Sequence, residues 1–95
     1  MEIRKTNHFA KWIESFQDIR ARARIQARIE RIAIGNPGDV KSVGEGISEM
    51  RIDYGPGYRV YFIQHERSVI ILLAGGDKST QARDIKTALH LAQNL

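Results

Sequence analysis

The sequence contains no cysteine among its 95 residues, and this absence excludes one class of small protein and one kind of metal site. A secreted scaffold held by disulfides is excluded, and so is a zinc site built from thiolates. No apolar run approaches the roughly 20 residues of a membrane-spanning helix, since the longest one extends only from Val69 to Ala74. The N-terminal segment lacks the apolar region of a signal peptide, so we expect a cytoplasmic protein. The length accommodates a single domain over residues 1–95.

Motifs that bind cofactors or activate nucleophiles are also absent. The chain has no Walker loop, Rossmann fingerprint, nucleophile elbow or zinc motif. Its three histidines, His8, His65 and His90, lack the spacing of a metal pair or of a nucleophile and its base. We therefore expect neither a metal nor an organic cofactor. What the chain does have is an excess of positive charge, with 15 Lys and Arg residues against 11 Asp and Glu residues and a net charge of +4. This excess favours an anionic partner, either nucleic acid or an acidic protein.

Two adjacent helices are predicted near the N-terminus. Thr6 or Asn7 can cap the first, and Asp18 can cap a second that extends to about Ile34 and ends at Gly35–Gly38. The first helix has one apolar face of four large residues, Phe9, Trp12, Ile13 and Phe16. The second has an apolar face of Ile25, Ile29 and Ile32 and a basic face of Arg20, Arg24, Arg28 and Arg31. This basic face is either a solvated surface or a binding stripe for an acidic partner.

The middle of the chain predicts a β-hairpin followed by a third strand. Ser48–Tyr54 alternates apolar and polar residues, Gly55-Pro56-Gly57 is a strong turn signal, and Tyr58–Gln64 is rich in aromatic and β-branched residues. After a polar turn, the apolar run Val69–Ala74 is typical of a strand buried on both faces. Ile3–Lys5 is a candidate for a further short strand.

The remaining element is a C-terminal helix that begins after the break at Gly75–Lys78. Ser79 or Thr80 can cap it, and its apolar side carries Ile85, Ala88, Leu89 and Ala92. The order of elements predicts an α+β fold: an antiparallel sheet with an N-terminal two-helix hairpin on one face and a short C-terminal helix. We expect the other face of the sheet to be open and polar and to carry the function.

Basic side chains from distant stretches of the chain are candidates for a phosphate site. Arg51 and Arg59 lie on the two strands of the hairpin, each opposite the apolar set of its strand. Lys78, Arg83 and Lys86 lie at the start of the last helix, where the helix N-terminus also attracts anions. If the strands are neighbours, these groups converge at one edge of the open face, where arginine suits a phosphate. Alternatively, the arginines pair with nearby carboxylates as solvated surface charges. The candidate pairs are Arg51 with Asp53 or Glu49, and Arg83 with Asp84 or Asp77.

Two segments also carry a family resemblance, namely Glu49–Phe62 and Leu72–Lys78 with the residues Ser79, Gln81, Arg83, Asp84 and Ile85 that follow. Together they resemble the phage Gp49-like, or HigB-like, branch of the RelE/ParE toxin superfamily, whose members are often called addiction module killer proteins. The resemblance extends over essentially the whole chain, including the aromatic first helix with Trp12 and the break at Gly35–Gly38.

The resemblance implies a compact α+β toxin whose gene is paired with that of a helix-turn-helix (HigA-like) antitoxin. Many relatives are endoribonucleases that cut messenger RNA on the translating ribosome, whereas ParE-type relatives poison DNA gyrase. The fold does not choose between these activities. A third possibility is a toxin-derived protein without remaining activity that only binds its antitoxin.

For a ribonuclease, the resemblance also suggests roles for individual residues. Arg59 follows a Gly-Tyr pair, as a functional arginine does in RelE-like nucleases, and would stabilise the charge on the phosphate. Arg51 lies where relatives carry basic residues, and Lys78 and Arg83 lie where relatives place another cation; Lys86 would add to phosphate binding. Tyr58 or Tyr61 would stack a base or share the proton transfer. The general base stays open between Asp53, Asp77 and Lys78, because arginine remains protonated.

Overall fold

The computed structural model describes residues 1–95 and has the α+β architecture that the sequence predicts. In chain order the elements are β1 (Glu2–Lys5), α1 (Asn7–Glu14), α2 (Ile19–Ala33), β2 (Val40–Gly44), β3 (Ile47–Ile52), β4 (Tyr58–His65), β5 (Val69–Asp77), a 3₁₀ turn (Lys78–Thr80) and α3 (Gln81–Gln93). None of the three helices is both long enough and apolar enough to cross a membrane.

The five strands form one sheet in the order β1-β5-β4-β3-β2. Strands β3 to β5 pair antiparallel as predicted, and β2 also pairs antiparallel, with β3. Strand β1 pairs parallel with β5, so the sheet is mixed at that edge. Strand β2 was not predicted because Val40–Gly44 is a largely exposed edge strand without a clear apolar face. Strand β5 also continues through Gly75 and Gly76 to Asp77, beyond the break that the glycines suggested.

The N-terminal helical hairpin begins at the predicted caps. The Thr6 hydroxyl accepts a hydrogen bond from the Phe9 amide at 3.0 Å, and Asp18 accepts from the amides of Arg20 and Ala21 at 3.0 and 3.2 Å. Both helices lay their apolar faces on the sheet. The resulting core has eleven buried residues: Phe9, Ile13, Ile25, Ile29, Ile32, Met50, Ile52, Val60, Phe62, Ile70 and Leu72.

The opposite face of the sheet is not open, which corrects the sequence-based expectation. Helix α3 packs there through Ala88, which joins a second buried cluster with Ile47, Tyr61, Leu73 and Ala74. The reason is that the apolar side of α3, with Ile85, Leu89 and Ala92, also has to be removed from water. Strand β5 is therefore covered on both faces, as its continuous apolar run predicted. Between the two edge strands, the sheet stays accessible at its end near the β3–β4 turn.

Candidate anion-binding site

Strand register brings three basic residues together at the end of the sheet. Pairing of β3 with β4 places Arg51 directly opposite Arg59, and pairing of β4 with β5 places Asp77 opposite Tyr58. Lys78 therefore follows beside the β3–β4 turn. A Cβ atom on Gly57, which has a φ of +81°, would lie 3.7 Å from both Arg59 Nη1 and Lys78 Cβ.

These side chains line an open cleft of about 310 Å³, here called the Arg59 cleft. Its lining residues are Asp39, Arg51, Ile52, Asp53, Gly57, Tyr58, Arg59 and Lys78. Five residues that the sequence nominated for the site are therefore neighbours, namely Arg51, Asp53, Tyr58, Arg59 and Lys78. The lining carries three cations against two carboxylates, Asp39 and Asp53, and this excess of positive charge favours an anionic ligand.

Both arginines of the cleft are oriented by carboxylates, but to different degrees. Arg51 Nη2 donates to Asp39 Oδ1 at 3.0 Å, and its side chain is 41% exposed. Arg59 is only 13% exposed; its Nη1 donates to the carbonyl of Gly57 at 3.1 Å, and its Nε lies 3.6 Å from Glu49 Oε2. Arg59 is therefore held against the floor of the cleft, whereas Arg51 stands at its rim.

Glu49 lies beneath the cleft and is buried, with only 1% of its surface exposed to solvent. Its Oε2 accepts hydrogen bonds from the Tyr61 hydroxyl at 3.0 Å and from Gln81 Nε2 at 2.8 Å. Sequence reasoning considered Glu49 only as a surface partner of Arg51, whereas the structure pairs it with Arg59. The signal was its position opposite Tyr61 in the hairpin register, on the face that α3 covers.

Tyr61 does not have the place that the sequence analysis gave it. Its side chain is fully buried at 0% exposure between the sheet and α3, so it is out of reach of an RNA base. Burial and the neighbouring Glu49 carboxylate raise the pKa of Tyr61 well above its usual range. The phenol therefore stays protonated and serves as a hydrogen-bond donor to Glu49.

Tyr58 is the tyrosine that borders the cleft. Its ring packs against Phe16 with the centroids 5.1 Å apart, so one side of the ring contacts the connection between α1 and α2. Burial raises the pKa of Tyr58, with smaller contributions from Asp18 and Asp77. At neutral pH the hydroxyl group is therefore a hydrogen-bond donor and not a base.

Arg83 and Lys86 do not join the other cations, and the expected convergence of five basic residues is corrected to three. Gln81 faces Glu49, and a helix advances about 100° per residue, so Arg83 points about 200° away from Gln81. Arg83 instead lies 3.6 Å from Asp84 Oδ1, one of the alternatives considered above, and lines a separate cleft of about 570 Å³ between α1 and α3. Lys86 is exposed on α3 and is not part of the Arg59 cleft.

The basic face of α2 is only partly a solvated surface. Arg28 donates to the carbonyls of Arg51 at 2.7 Å and of Pro37 at 3.0 Å, which ties α2 to the end of β3. The Arg24 guanidinium lies 4.8 Å from the centroid of the Tyr54 ring, a cation–π contact. With Arg31 these side chains line a further cleft of about 590 Å³, which shares Ile52 and Asp53 with the Arg59 cleft.

The candidates for a general base differ in their surroundings. Asp77 accepts a hydrogen bond from the Ser79 amide at 2.8 Å, and its hydrogen bonds to Ser79 hold its pKa below the usual range. This carboxylate therefore caps the 3₁₀ turn and is a weak base. Asp53 is exposed, lines the Arg59 cleft and has no hydrogen bond or ion pair to its side chain. Of the two carboxylates, only Asp53 is free to act on a ligand in the cleft.

The whole Arg59 cleft lies in the part of the chain that matches known proteins. Residues 11–95 match the family described as "Phage derived protein Gp49-like (DUF891)". A protein of Haemophilus influenzae, described as an uncharacterized protein, is 52% identical over 95 residues, which is 100% of this chain and 96% of the relative. Both matches include every residue of the Arg59 cleft.

Proposed function

Because this chain belongs to the phage-derived Gp49-like protein family, we propose that it is the toxin of a toxin–antitoxin pair and cleaves messenger RNA. The family match confirms the resemblance found in the sequence. The proposed activity is that of an endoribonuclease acting on the translating ribosome, and therefore in the cytoplasm. The cationic cleft at the end of the sheet is the proposed active site.

One observation carries the proposal, the placement of Arg51 directly opposite Arg59 with Lys78 beside them. Like charges that face each other across two strands destabilise a sheet. A bound phosphate would reverse this effect, because each cation would then interact with the anion between them. Charge-assisted hydrogen bonds of this kind also stabilise the extra negative charge of a phosphoryl transition state.

The proposed reaction uses the ribose 2′-hydroxyl as the nucleophile. Its oxygen attacks the adjacent phosphorus and the bond to the 5′-oxygen breaks, which leaves a 2′,3′-cyclic phosphate and a 5′-hydroxyl. Asp53 would accept the proton from the 2′-hydroxyl, and Lys78 would deliver one to the departing 5′-oxygen. Arg51 and Arg59 would stabilise the charge on the non-bridging oxygens, and Tyr58 would contact a base or donate to the phosphate.

The proposed protein partner is a cognate helix-turn-helix (HigA-like) antitoxin encoded next to this gene. The net charge of +4 and the arginine-lined cleft beside α2 favour a partner with acidic side chains. Co-expression of the neighbouring reading frame should suppress toxicity and allow the two proteins to be purified together. Operator DNA would be contacted only through the antitoxin.

The test is controlled expression in cells with mapping of transcript ends, together with purified RNA lacking ribosomes. We expect growth arrest and new internal 5′ ends, which are absent from ribosome-free RNA. Arg59→Ala and Lys78→Ala should abolish both effects while the proteins stay folded. Arg67→Ala is the matched control, because it removes the same charge from the exposed β4–β5 turn and should remain toxic.

Two outcomes would contradict the ribonuclease proposal in different ways. Intact transcripts together with stalled gyrase–DNA complexes and a DNA-damage response would indicate a gyrase poison. Harmless overexpression combined with tight binding to the antitoxin would indicate a protein that has no remaining toxic activity and only binds the antitoxin. A folded Arg59→Ala variant that is as toxic as the unmodified chain would show that the active site lies elsewhere.

A further inference from the structure

We propose that Glu49 is a positioning residue, which holds the Arg59 guanidinium in the orientation that stabilises the charge developing on the phosphate during cleavage. It acts from beneath the cleft, because at 1% exposure its carboxylate has no route to a ligand. The consequence for RNA cleavage rests on the proposed function, whereas the effect on Arg59 itself does not.

Glu49 is surrounded by groups from the other elements that meet at this point. Its Oε2 atom accepts hydrogen bonds from the Tyr61 hydroxyl on β4 and from Gln81 Nε2 on α3. The same atom lies 3.6 Å from Arg59 Nε. Asp84 is the other buried carboxylate of this face and is occupied by Thr80, which donates to its Oδ2. Glu49 is thus the one buried carboxylate in contact with a cation of the cleft.

These contacts determine which part of Arg59 is available to a ligand. The Nε atom is buried and points to Glu49, and Nη1 donates to the Gly57 carbonyl at 3.1 Å. The Nη2 atom is neither buried nor bonded to a protein acceptor. Nη1 is therefore bonded to the protein and Nε is buried against Glu49, so Nη2 is left for an anion in the cleft.

The pairing of Glu49 with Arg59 is long for a hydrogen bond, at 3.6 Å. At this distance the Glu49 carboxylate acts on Arg59 mainly through electrostatic attraction, in a region where water does not screen the charges. A buried ion pair contributes little to stability compared with apolar side chains of similar size. Loss of the Glu49–Arg59 pair should therefore change the orientation of Arg59 more than it changes the free energy of unfolding.

The experiment compares Glu49→Gln with Glu45→Gln in the full chain. Gln keeps the size of the side chain and its ability to accept from Tyr61, but it removes the charge that faces Arg59. Glu45 is an exposed residue in the β2–β3 turn, so its substitution makes the same change in net charge far from Arg59. Solvent exchange of the Arg59 Nε–H is measured by ¹⁵N NMR, alongside RNA binding and single-turnover cleavage of messenger RNA on ribosomes.

We expect Glu49→Gln to speed exchange of the Arg59 Nε–H by about tenfold and to slow cleavage roughly 10- to 100-fold. Affinity for an RNA with a 2′-deoxyribose at the cleavage point should stay equal or increase, because one negative charge near the phosphate is lost. A purely structural role would not separate binding from rate in this way. Tyr61→Phe, which removes one donor to Glu49, should give a smaller change of the same kind, and it replaces Glu49→Gln if that variant does not fold.

The proposal is overturned if Glu49→Gln, or Tyr61→Phe in its place, behaves like Glu45→Gln in both exchange and rate. It is also overturned if cleavage falls only in proportion to the unfolded fraction measured by circular dichroism. If the unmodified chain cleaves no messenger RNA on ribosomes, the proposed function fails. The exchange of the Arg59 Nε–H then still decides whether Glu49 positions Arg59.

Discussion

The two faces of the sheet are built on different principles. The face beneath α1 and α2 is an apolar core of eleven buried residues without a buried charge. The face beneath α3 has five buried apolar residues, and next to them lie Glu49 and Asp84, the two buried charged residues of the chain. The difference indicates that the first face supplies most of the folding free energy. The second combines a smaller core with polar groups that determine the shape of the Arg59 cleft.

The largest effect is expected from truncation of the first face. Phe9 is fully buried and contacts the Trp12 ring at a centroid distance of 5.6 Å. Phe9→Ala should lower the free energy of unfolding by about 3–5 kcal/mol, because a cavity replaces the ring. Ile19→Ala, at a side chain that is 79% exposed on α2, is the control and should change stability by at most about 0.5 kcal/mol. Similar urea midpoints for the two variants would contradict the assignment of Phe9 to a core that stabilises the fold.

A smaller effect is expected at two adjacent glycines of β5 that face opposite layers. A Cβ on Gly75 would lie 2.3 Å from the Trp12 ring, and one on Gly76 would lie 1.8 Å from Asp84 Oδ2. Each substitution by alanine should therefore cost about 1–3 kcal/mol through overpacking. The two variants should differ in activity: Gly75→Ala disturbs only the apolar face, whereas Gly76→Ala displaces Asp84 and its contact with Thr80 at the start of α3.

Unfolding by urea and cleavage per folded molecule distinguish the two glycine variants. Gly75→Ala should retain nearly full activity once corrected for the unfolded fraction, and Gly76→Ala should not. Equal activity in both would show that the α3 face does not control the cleft. Loss of activity in Gly75→Ala alone would reverse the assignment of the faces.

The apolar face was largely predictable from the sequence, and the reason is local. The helical periodicity of Phe9 to Phe16, the cap at Asp18 and the turn at Gly55–Gly57 each depend on residues close in the chain. The edge strand β2 was missed because its pairing partner, and not its own pattern, decides its structure.

The site was predictable only where strand order determines it. Arg51, Arg59 and Lys78 were expected to meet because a tight hairpin and the next strand have only a few possible registers. The positions of Tyr61, Arg83 and Glu49 depend on how α3 folds back over the sheet and on the rotation of its first turn. That is long-range packing information, which alternation along a strand does not contain.

The smallest change in stability is expected when the polar groups of the second face are replaced together. In the triple variant Glu49→Met, Arg59→Met and Tyr61→Phe, apolar atoms of similar volume replace the buried ion pair and the hydroxyl that donates to it. The free energy of unfolding should stay the same or rise by about 1–2 kcal/mol, while RNA cleavage and toxicity disappear.

The single variant Glu49→Met serves as the comparison, because it leaves Arg59 without its buried partner and should be less stable than the triple variant. Thermal and urea unfolding of both proteins provide the measurement. If the triple variant loses stability as Phe9→Ala does, the polar groups beneath α3 are required for folding, and the two faces do not differ in kind. If it is stable but inactive, these groups serve the cleft, and the fold tolerates their loss because the α1 and α2 face already stabilises it.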